Sequence, residues 1–448
     1  MFSLCRKTIQ PPTEAGLFVH SDLIRGGKWA CSLFPAGCVC SGFACVQRSG
    51  HHAFSLFPAG KAGVFLELPM TVPDIDQFHA IAISSLAHKL AAEGRSIIHM
   101  EFGQPSTGAP QKAIERAQHI LATDPMGYWE SQPLKERIAR HYQEMYGTTV
   151  QADQVILTCG ASPALVLALT SSFVPGQRVA LARPGYVAYR NTLRALHMEA
   201  VEIECGEAER FQLTADAVAA IEPVPDGLII ASPANPTGTI LGDEELKAIL
   251  KVCRDRGIRV VSDEIYHGLS YGDPAHSVLE YEPSAMVVNS FSKYFSMAPW
   301  RLGWLVVPTD RIDAARARMG NLFLTPSALS QHAGLVAFDC VDELERHLDT
   351  YRRNRDLLLE AMPEMGLTHI APPDGAFYIY ADISYLTDDS LAFCRRLLLE
   401  TGVATAPGVD FDPVNGNRFM RFSFAVSTDR IEEAVRRMVP WFAAQPRR

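Results

Sequence analysis

The chain is poor in the features that would mark several common classes of protein. It has no excess of basic residues: Lys and Arg number 41 against 50 Asp and Glu, for a net charge of −9, which excludes the electrostatic footprint of a nucleic-acid binder. It lacks a disulfide framework, because five of its ten cysteines crowd into the first 45 residues (Cys5, Cys31, Cys38, Cys40, Cys45) and the other five are scattered singly through core-like segments. No clean apolar run is long enough to span a bilayer. The uncharged stretch 29–46, close to the length of a span, is interrupted by Pro35, Gly37 and Gly42 and is only moderately apolar. The start also lacks the charged region, apolar run and small-residue cleavage site of a secretory signal, so no membrane and a cytoplasmic location are expected. Metal-ligand spacing is missing too: His51 and His52 stand together without partners, so no metal site is expected. No glycine-rich nucleotide fingerprint follows the first strand-like run.

What is present is a soluble globular composition, 48% hydrophobic and 20% charged, on 448 residues, too many for one ordinary core and enough for two or three domains. Residues 1–69 differ from the rest. They hold six Lys/Arg against three Asp/Glu, many Gly and Pro, and "SLFPAG" twice, at 32–37 and 55–60, with no helical or strand period. The expectation is an irregular extension, either disordered or upstream of a true start at Met70. From Met70 onward 35 Lys/Arg face 47 Asp/Glu, so the acidic character belongs to the folded part.

Beyond Met70, "QFHAIAISSLAHKLAAEG" has helical spacing and leads to the apolar run and Gly/Pro turn of "SIIHMEFGQPSTGAP". Seven apolar runs then alternate with helical stretches: "QVILTCG", "RVALARPG", "MEAVEIE", "GLIIASPANPTG", "IRVVSDEIY", "AMVVNSFSK" and "LGWLVVP". This alternation predicts an α/β fold with a mostly parallel seven-stranded sheet flanked by helices. Ligands of such sheets bind beyond the carboxyl ends of the strands, where Gly160, Tyr186, Asn235, Asp263 and Ser290 all fall.

Taken singly, each of these residues has a plain structural reading and a functional one. "TCGASPAL" is a strand, turn and helix start with Ser162 as a cap, or a small-residue turn presenting N–H groups to a phosphate. "ANPTG" is a turn, or it offers the Asn235 amide at a strand end. Asp263, after "IRVV", is a carboxylate costly to bury unless paired, in a structural ion pair or in a site. The segment "NSFSKYFSMAPWRLGW" (289–304) carries two serines, a lysine and, eight residues after the lysine, an arginine. Its lysine is a solvated charge or an amine suited to Schiff-base chemistry, and Arg301 a surface cation or a fork for a phosphate.

In their order, "ANPTG", "SDEIY" and "SFSK" with the later arginine resemble the class I/II aminotransferases, the fold-type-I pyridoxal-phosphate enzymes of the aspartate aminotransferase superfamily, over residues 73 to 445. The resemblance implies pyridoxal 5′-phosphate as cofactor, with Lys293 as the lysine that forms an aldimine with it and shuttles the substrate proton. Ser290, Ser292, Arg301 and the backbone of Gly160, Ala161 and Ser162 would hold the phosphate. Asp263 would pair with the pyridine nitrogen, Asn235 and Tyr266 with the phenolic oxygen, and Tyr186 would stack on the ring. Arg421, in "RFMRFSFA", would grip the substrate α-carboxylate, with Arg418 as its competitor, and Gly103 would close over the same group. Asn235 is thereby a substrate-side residue as well.

Tyr128, in "MGYWESQPLKERIA", resembles the tyrosine that reaches a partner's cofactor phosphate, which implies a homodimer with shared sites. The chain departs from the family in a loop about three residues shorter after Tyr128, and in Pro299 where a glycine is usual. The implied organisation is a small domain built from 70–115 and 341–448 around a large cofactor-binding domain, 116–340. The implied activity is transfer of an amino group from an amino acid to a 2-oxo acid through a pyridoxamine phosphate intermediate, in amino acid metabolism and biosynthesis. The alternatives are a lyase or synthase of the same fold, and a non-catalytic effector domain. The latter needs a basic helical module upstream that residues 1–69 do not resemble.

Overall fold

Two faces of one sheet explain why the strands read as nearly continuous apolar runs. In the computed structural model, which describes residues 73–448, the strands are β1 (Ile98–Met100), β2 (Val155–Thr158), β3 (Arg178–Arg183), β4 (Glu199–Glu204), β5 (Gly227–Ala231), β6 (Arg259–Asp263), β7 (Met286–Ser290), β8 (Gly303–Val306), β9 (Tyr378–Asp382), β10 (Val403–Pro407) and β11 (Phe419–Ser423). Upstream, only the backbone pairing of Lys28–Trp29 with Cys40–Ser41 and of Phe43–Cys45 with Leu56–Pro58 is described. The irregular extension expected over 1–69 otherwise lies outside the described residues.

Seven strands form the large sheet in the order β2-β8-β7-β6-β5-β3-β4. Val155, Leu157, Leu228, Ile230, Val287, Trp304 and Val306 pack into one hydrophobic cluster, and the alternate residues Ile156, Ile229, Val288 and Leu305 into another on the opposite face. Both faces are covered except along the edge strand β4, so in the other strands both residue parities are apolar. The α/β fold expected from the sequence holds.

β8 is the one reversed strand, antiparallel to both β7 and β2. The chain rises along β7, turns through 291–302 and descends along β8. Ser290 therefore lies opposite Gly303, and Gly303 opposite Thr158. That reversal places Arg301 at the same edge as the carboxyl ends of the parallel strands. Pro299 sits in the short 3₁₀ turn Ala298–Trp300, where its fixed φ is accommodated.

A second sheet, β9-β11-β10-β1, joins the two ends of the described chain: β1 runs parallel to β10, and β11 lies antiparallel between β9 and β10. Its core centres on Phe377, Ile379, Met420, Phe422 and Phe424. The helix His79–Ala92 has no side-chain cap of its own. Instead the buried Asp410 carboxylate accepts from the N–H groups of His79 and Ala80, both at 2.8 Å. Among the described residues no helix is long and apolar enough to cross a membrane.

Trp304 is fully buried and donates its indole N–H to Tyr142 Oη at 3.2 Å. Trp304→Ala is expected to lower unfolding free energy by about 3–5 kcal/mol, from the lost transfer term and the residual cavity, as read by denaturant unfolding.

Candidate active site

Six elements deliver side chains to one crevice at the carboxyl edge of the large sheet. Asp263 ends β6, Ser290 ends β7, Gly160 follows β2, Tyr186 follows β3, Asn235 follows β5 and Arg301 precedes β8. The small sheet supplies Arg421 from β11 and Gly103 from the loop after β1.

Lys293 Nζ donates to the Gly103 carbonyl at 2.6 Å and lies 5.8 Å from the Tyr266 ring centroid. Burial, and then the positive charges of Arg421 and Arg301, push its ammonium down to about 8 against the opposing pull of Asp263. A large part of the amine is therefore uncharged in mildly basic water, which suits it as a nucleophile and base.

Asp263 is buried. Tyr189 Oη donates to its Oδ2 at 2.7 Å and the Ile265 N–H to its Oδ1 at 3.1 Å. Burial raises its carboxyl above the ordinary range, with these hydrogen bonds and Lys293 acting the other way. A cation placed before it would stabilise the ionised form.

At the other end, helix Ala161–Ser172 begins after Gly160, whose φ is +103°. A Cβ there would fall 2.6 Å from Arg301 Nη2, so the guanidinium packs directly over a helix start that only glycine permits. Arg301 adopts a left-handed backbone, φ 50° and ψ 54°, and donates to the Ala298 carbonyl at 3.1 Å and to Ser292 Oγ at 3.5 Å. Ser290 Oγ lies 2.7 Å from Ser292 Oγ and 3.1 Å from the Leu302 carbonyl. A cation, two hydroxyls and a helix N-terminus converge here, with no carboxylate paired to Arg301 among the described residues.

Arg421 is 2% exposed, yet among the described residues no carboxylate pairs with it. Nη1 donates to Asn235 Oδ1 at 2.7 Å and Nη2 to the Glu101 carbonyl at 2.5 Å, while Nε has no partner. Its guanidinium carbon lies between two rings, 4.4 Å from the Tyr378 centroid and 4.6 Å from that of Phe411. Arg418 is different. It is mostly exposed and pairs with Asp382 at 3.4 Å, so of the two candidate arginines Arg421 alone faces the crevice.

Asn235 turns its Oδ1 to Arg421. The Tyr266 hydroxyl lies 2.7 Å from that of Tyr378. The Tyr186 ring meets Tyr189 and Phe78 edge-on, at 5.5 and 6.4 Å. Tyr128 is 85% exposed.

The donor set fits pyridoxal 5′-phosphate. An anion cradle stands at one end, a buried carboxylate at the other, an uncompensated amine between them, and a second unpaired arginine beside it awaits a further anion.

Sequence reasoning missed Tyr189, Tyr378 and Phe411. Tyr189 was within reach, because three residues after Tyr186 on a helix it shares a face with it. Tyr378 and Phe411 carried no local signal.

A family model described as aminotransferase class I and II matches residues 95–438. The valine–pyruvate aminotransferase of Mycobacterium tuberculosis is 46% identical over 356 residues, 78% of this chain and 92% of that protein. A solved aminotransferase from Mycobacterium tuberculosis is similar with a TM-score of 0.81 and 42% identity, covering 86% of this chain and 100% of that one. The aspartate aminotransferase of Thermus thermophilus, solved with maleate, gives 0.77 and 30% identity over 82% of this chain and 97% of that one.

The electrostatics of the lysine are testable without ligand. Competitive labelling of the Lys293 amine in cofactor-free protein is expected to show a midpoint near pH 8. Arg421→Met removes a cation that disfavours the charged amine, so the midpoint should rise; Asp263→Asn removes an anion that favours it, so the midpoint should fall.

Proposed function

We propose the chemistry of this chain from the premise that it belongs to the class I and II aminotransferases: it moves the amino group of an amino acid to a 2-oxo acid, with pyridoxal 5′-phosphate held at Lys293. The observation that carries this reading is the Lys293 amine, depressed to about 8 between a buried Asp263 and two arginines that have no carboxylate partner among the described residues. When bound, the cofactor supplies an aldehyde that captures amines and a ring that accepts the electron pair released at the substrate's Cα.

The chain's own groups do the rest. Lys293 Nζ would hold the cofactor, and its amine, when free, would take the proton from the substrate Cα as a general base. Asp263, oriented by Tyr189 and the Ile265 N–H, would pair with the ring nitrogen and favour its protonated form. Asn235 and Tyr266 would donate to the ring oxygen, and Tyr186 would stack on the ring. Arg301, Ser290, Ser292 and the N–H groups of Gly160, Ala161 and Ser162 would hold the phosphate. Arg421 receives the substrate α-carboxylate with N–H groups already aligned by Asn235 and Glu101, and the Gly103 loop lies over the same end.

The 46% identical relative, named a valine–pyruvate aminotransferase, supports an amino acid with an apolar side chain as donor and pyruvate as the oxo acid. The apolar rings beside Tyr186, with Phe78 meeting it and standing 6.1 Å from Phe102, are in keeping with such a side chain. In this reading residues 116–340 form the cofactor-binding part and the two chain ends the smaller one. The enzyme is a cytoplasmic homodimer of amino acid biosynthesis, in which the exposed Tyr128 completes the partner's phosphate cradle. Five free cysteines in the described part, four of them buried, suit a reducing compartment.

Purified protein loaded with the cofactor should be yellow, bleach when valine or alanine is added, and recover its band with pyruvate. Lys293→Ala should slow this exchange by about 10²–10⁴-fold, as expected for loss of a general base. A protein that takes up no cofactor would sink the reading.

A further inference from the structure

Tyr378 touches two working groups with two different parts of one side chain. It is 1% exposed and lies on β9, in register with Ser423 of β11. Its ring face lies 4.4 Å from the Arg421 guanidinium carbon, and its hydroxyl is 2.7 Å from that of Tyr266. It also bounds the loop from the small sheet. A Cβ at Gly103 would fall 1.6 Å from Tyr378 Oη, so the loop that offers its carbonyl to Lys293 can lie there only as glycine.

The two contacts differ in kind. A carboxylate beside Arg421 would neutralise it and compete with an incoming carboxylate, whereas an aromatic face stabilises the cation and leaves its N–H edge available. The Tyr266 hydroxyl has Tyr378 as its hydrogen-bond partner among the described residues. If Tyr378 donates, the single Tyr266 proton is left for the crevice, and the accepted bond makes Tyr266 a stronger donor.

We propose that Tyr378 is a positioning residue for both ends of the reaction centre: its ring holds Arg421 flat for the substrate carboxylate, and its hydroxyl strengthens the donation of Tyr266 to the cofactor. This rests on the reading of the crevice given above. Two substitutions separate the contacts. Tyr378→Phe keeps the ring and removes the hydroxyl; Tyr378→Leu removes both.

In the full-length, cofactor-loaded protein, the pH midpoint of the visible band reports how well the ring oxygen is stabilised. Tyr378→Phe should raise it by about half a unit to one unit, the size of one hydrogen bond, while changing pyruvate affinity less than about twofold. Arg421, Lys293, Tyr186 and Asp263 face this pair of tyrosines and are unchanged by the substitution. Tyr378→Leu should weaken pyruvate binding to the cofactor-free protein about tenfold or more by calorimetry, and should raise KM for the amino acid more than it lowers kcat.

The inference is overturned if Tyr378→Phe leaves the midpoint where wild type has it, or if Tyr378→Leu binds pyruvate as wild type does or neither binds it. The Phe variant retains the ring and its packing, so the pH arm stands even if the Leu variant does not fold. A wild-type protein that develops no band would count against the proposed function, whereas the pyruvate arm, measured without cofactor, still judges Tyr378.

Discussion

Cations held without an ion-pair partner are the constraint on which this crevice depends. Lys293, Arg301 and Arg421 converge there, and no carboxylate among the described residues pairs with any of them. The N-terminus of helix Ala161–Ser172 adds its own positive end beneath Arg301. Bringing like charges together out of water raises the energy of the folded chain. The fold tolerates it because neutral groups hold the cations: the carbonyls of Glu101, Gly103 and Ala298, the amide of Asn235, and the rings of Tyr378 and Phe411. Each stabilises a cation without the full opposing charge of an ion-pair partner, so an entering phosphate or carboxylate still meets its field.

One reversed strand makes the convergence possible. Were β8 parallel like its neighbours in the rest of the sheet, the chain would have to cross back before entering it, and Arg301 would lie at the opposite edge from Lys293. Because β7 and β8 are antiparallel neighbours, their connection stays at the crevice and carries Ser292, Lys293 and Arg301 together. The left-handed backbone at Arg301 then turns its guanidinium over Gly160. The polar spacing of residues 289–304 is thus the spacing of a connection that must both fold over a strand end and line a pocket.

What was legible in the sequence was whatever is local. Six of the seven strands could be read because both faces of the sheet are covered, which makes their middles apolar at both parities, while the partly exposed edge strand β4 carries Glu199, Glu202 and Glu204. Lys293, Asp263, Asn235 and Gly160 could be read because each stands at or just past a strand end, so its place in the crevice follows from its place in the run. The choice of Arg421 over Arg418 rested on the resemblance alone, since only two residues lie between them and the register of β11 against β9 and β10 decides which is buried. Tyr378 and Phe411 were invisible for the same reason. Their contacts with Arg421 join residues distant in sequence, and a strand tyrosine looks the same whether it packs on leucine or on a guanidinium. The reversal of β8 also left no mark, because an antiparallel strand buried on both faces carries the same apolar pattern as a parallel one.

The small sheet shows how a folding pattern becomes an aiming device. Along β11, Met420 and Phe422 enter the apolar core while Arg421 points the other way, toward Tyr380 on one neighbour and Ala406 on the other. A slip of one residue would bury the arginine in that core and turn two large apolar side chains into the crevice, an exchange the hydrophobic effect opposes at every position. The same holds for β1, whose Ile98 and Met100 are buried and whose register with β10 sets where the Glu101 and Gly103 carbonyls emerge. The groups that meet Arg421 and Lys293 from this side therefore need no dedicated device to place them. The apolar alternation that closes the small sheet already fixes their direction, and the three contacts across the crevice, Arg421 to Asn235, Lys293 to Gly103 and Tyr378 to Tyr266, are what that closure leaves in line.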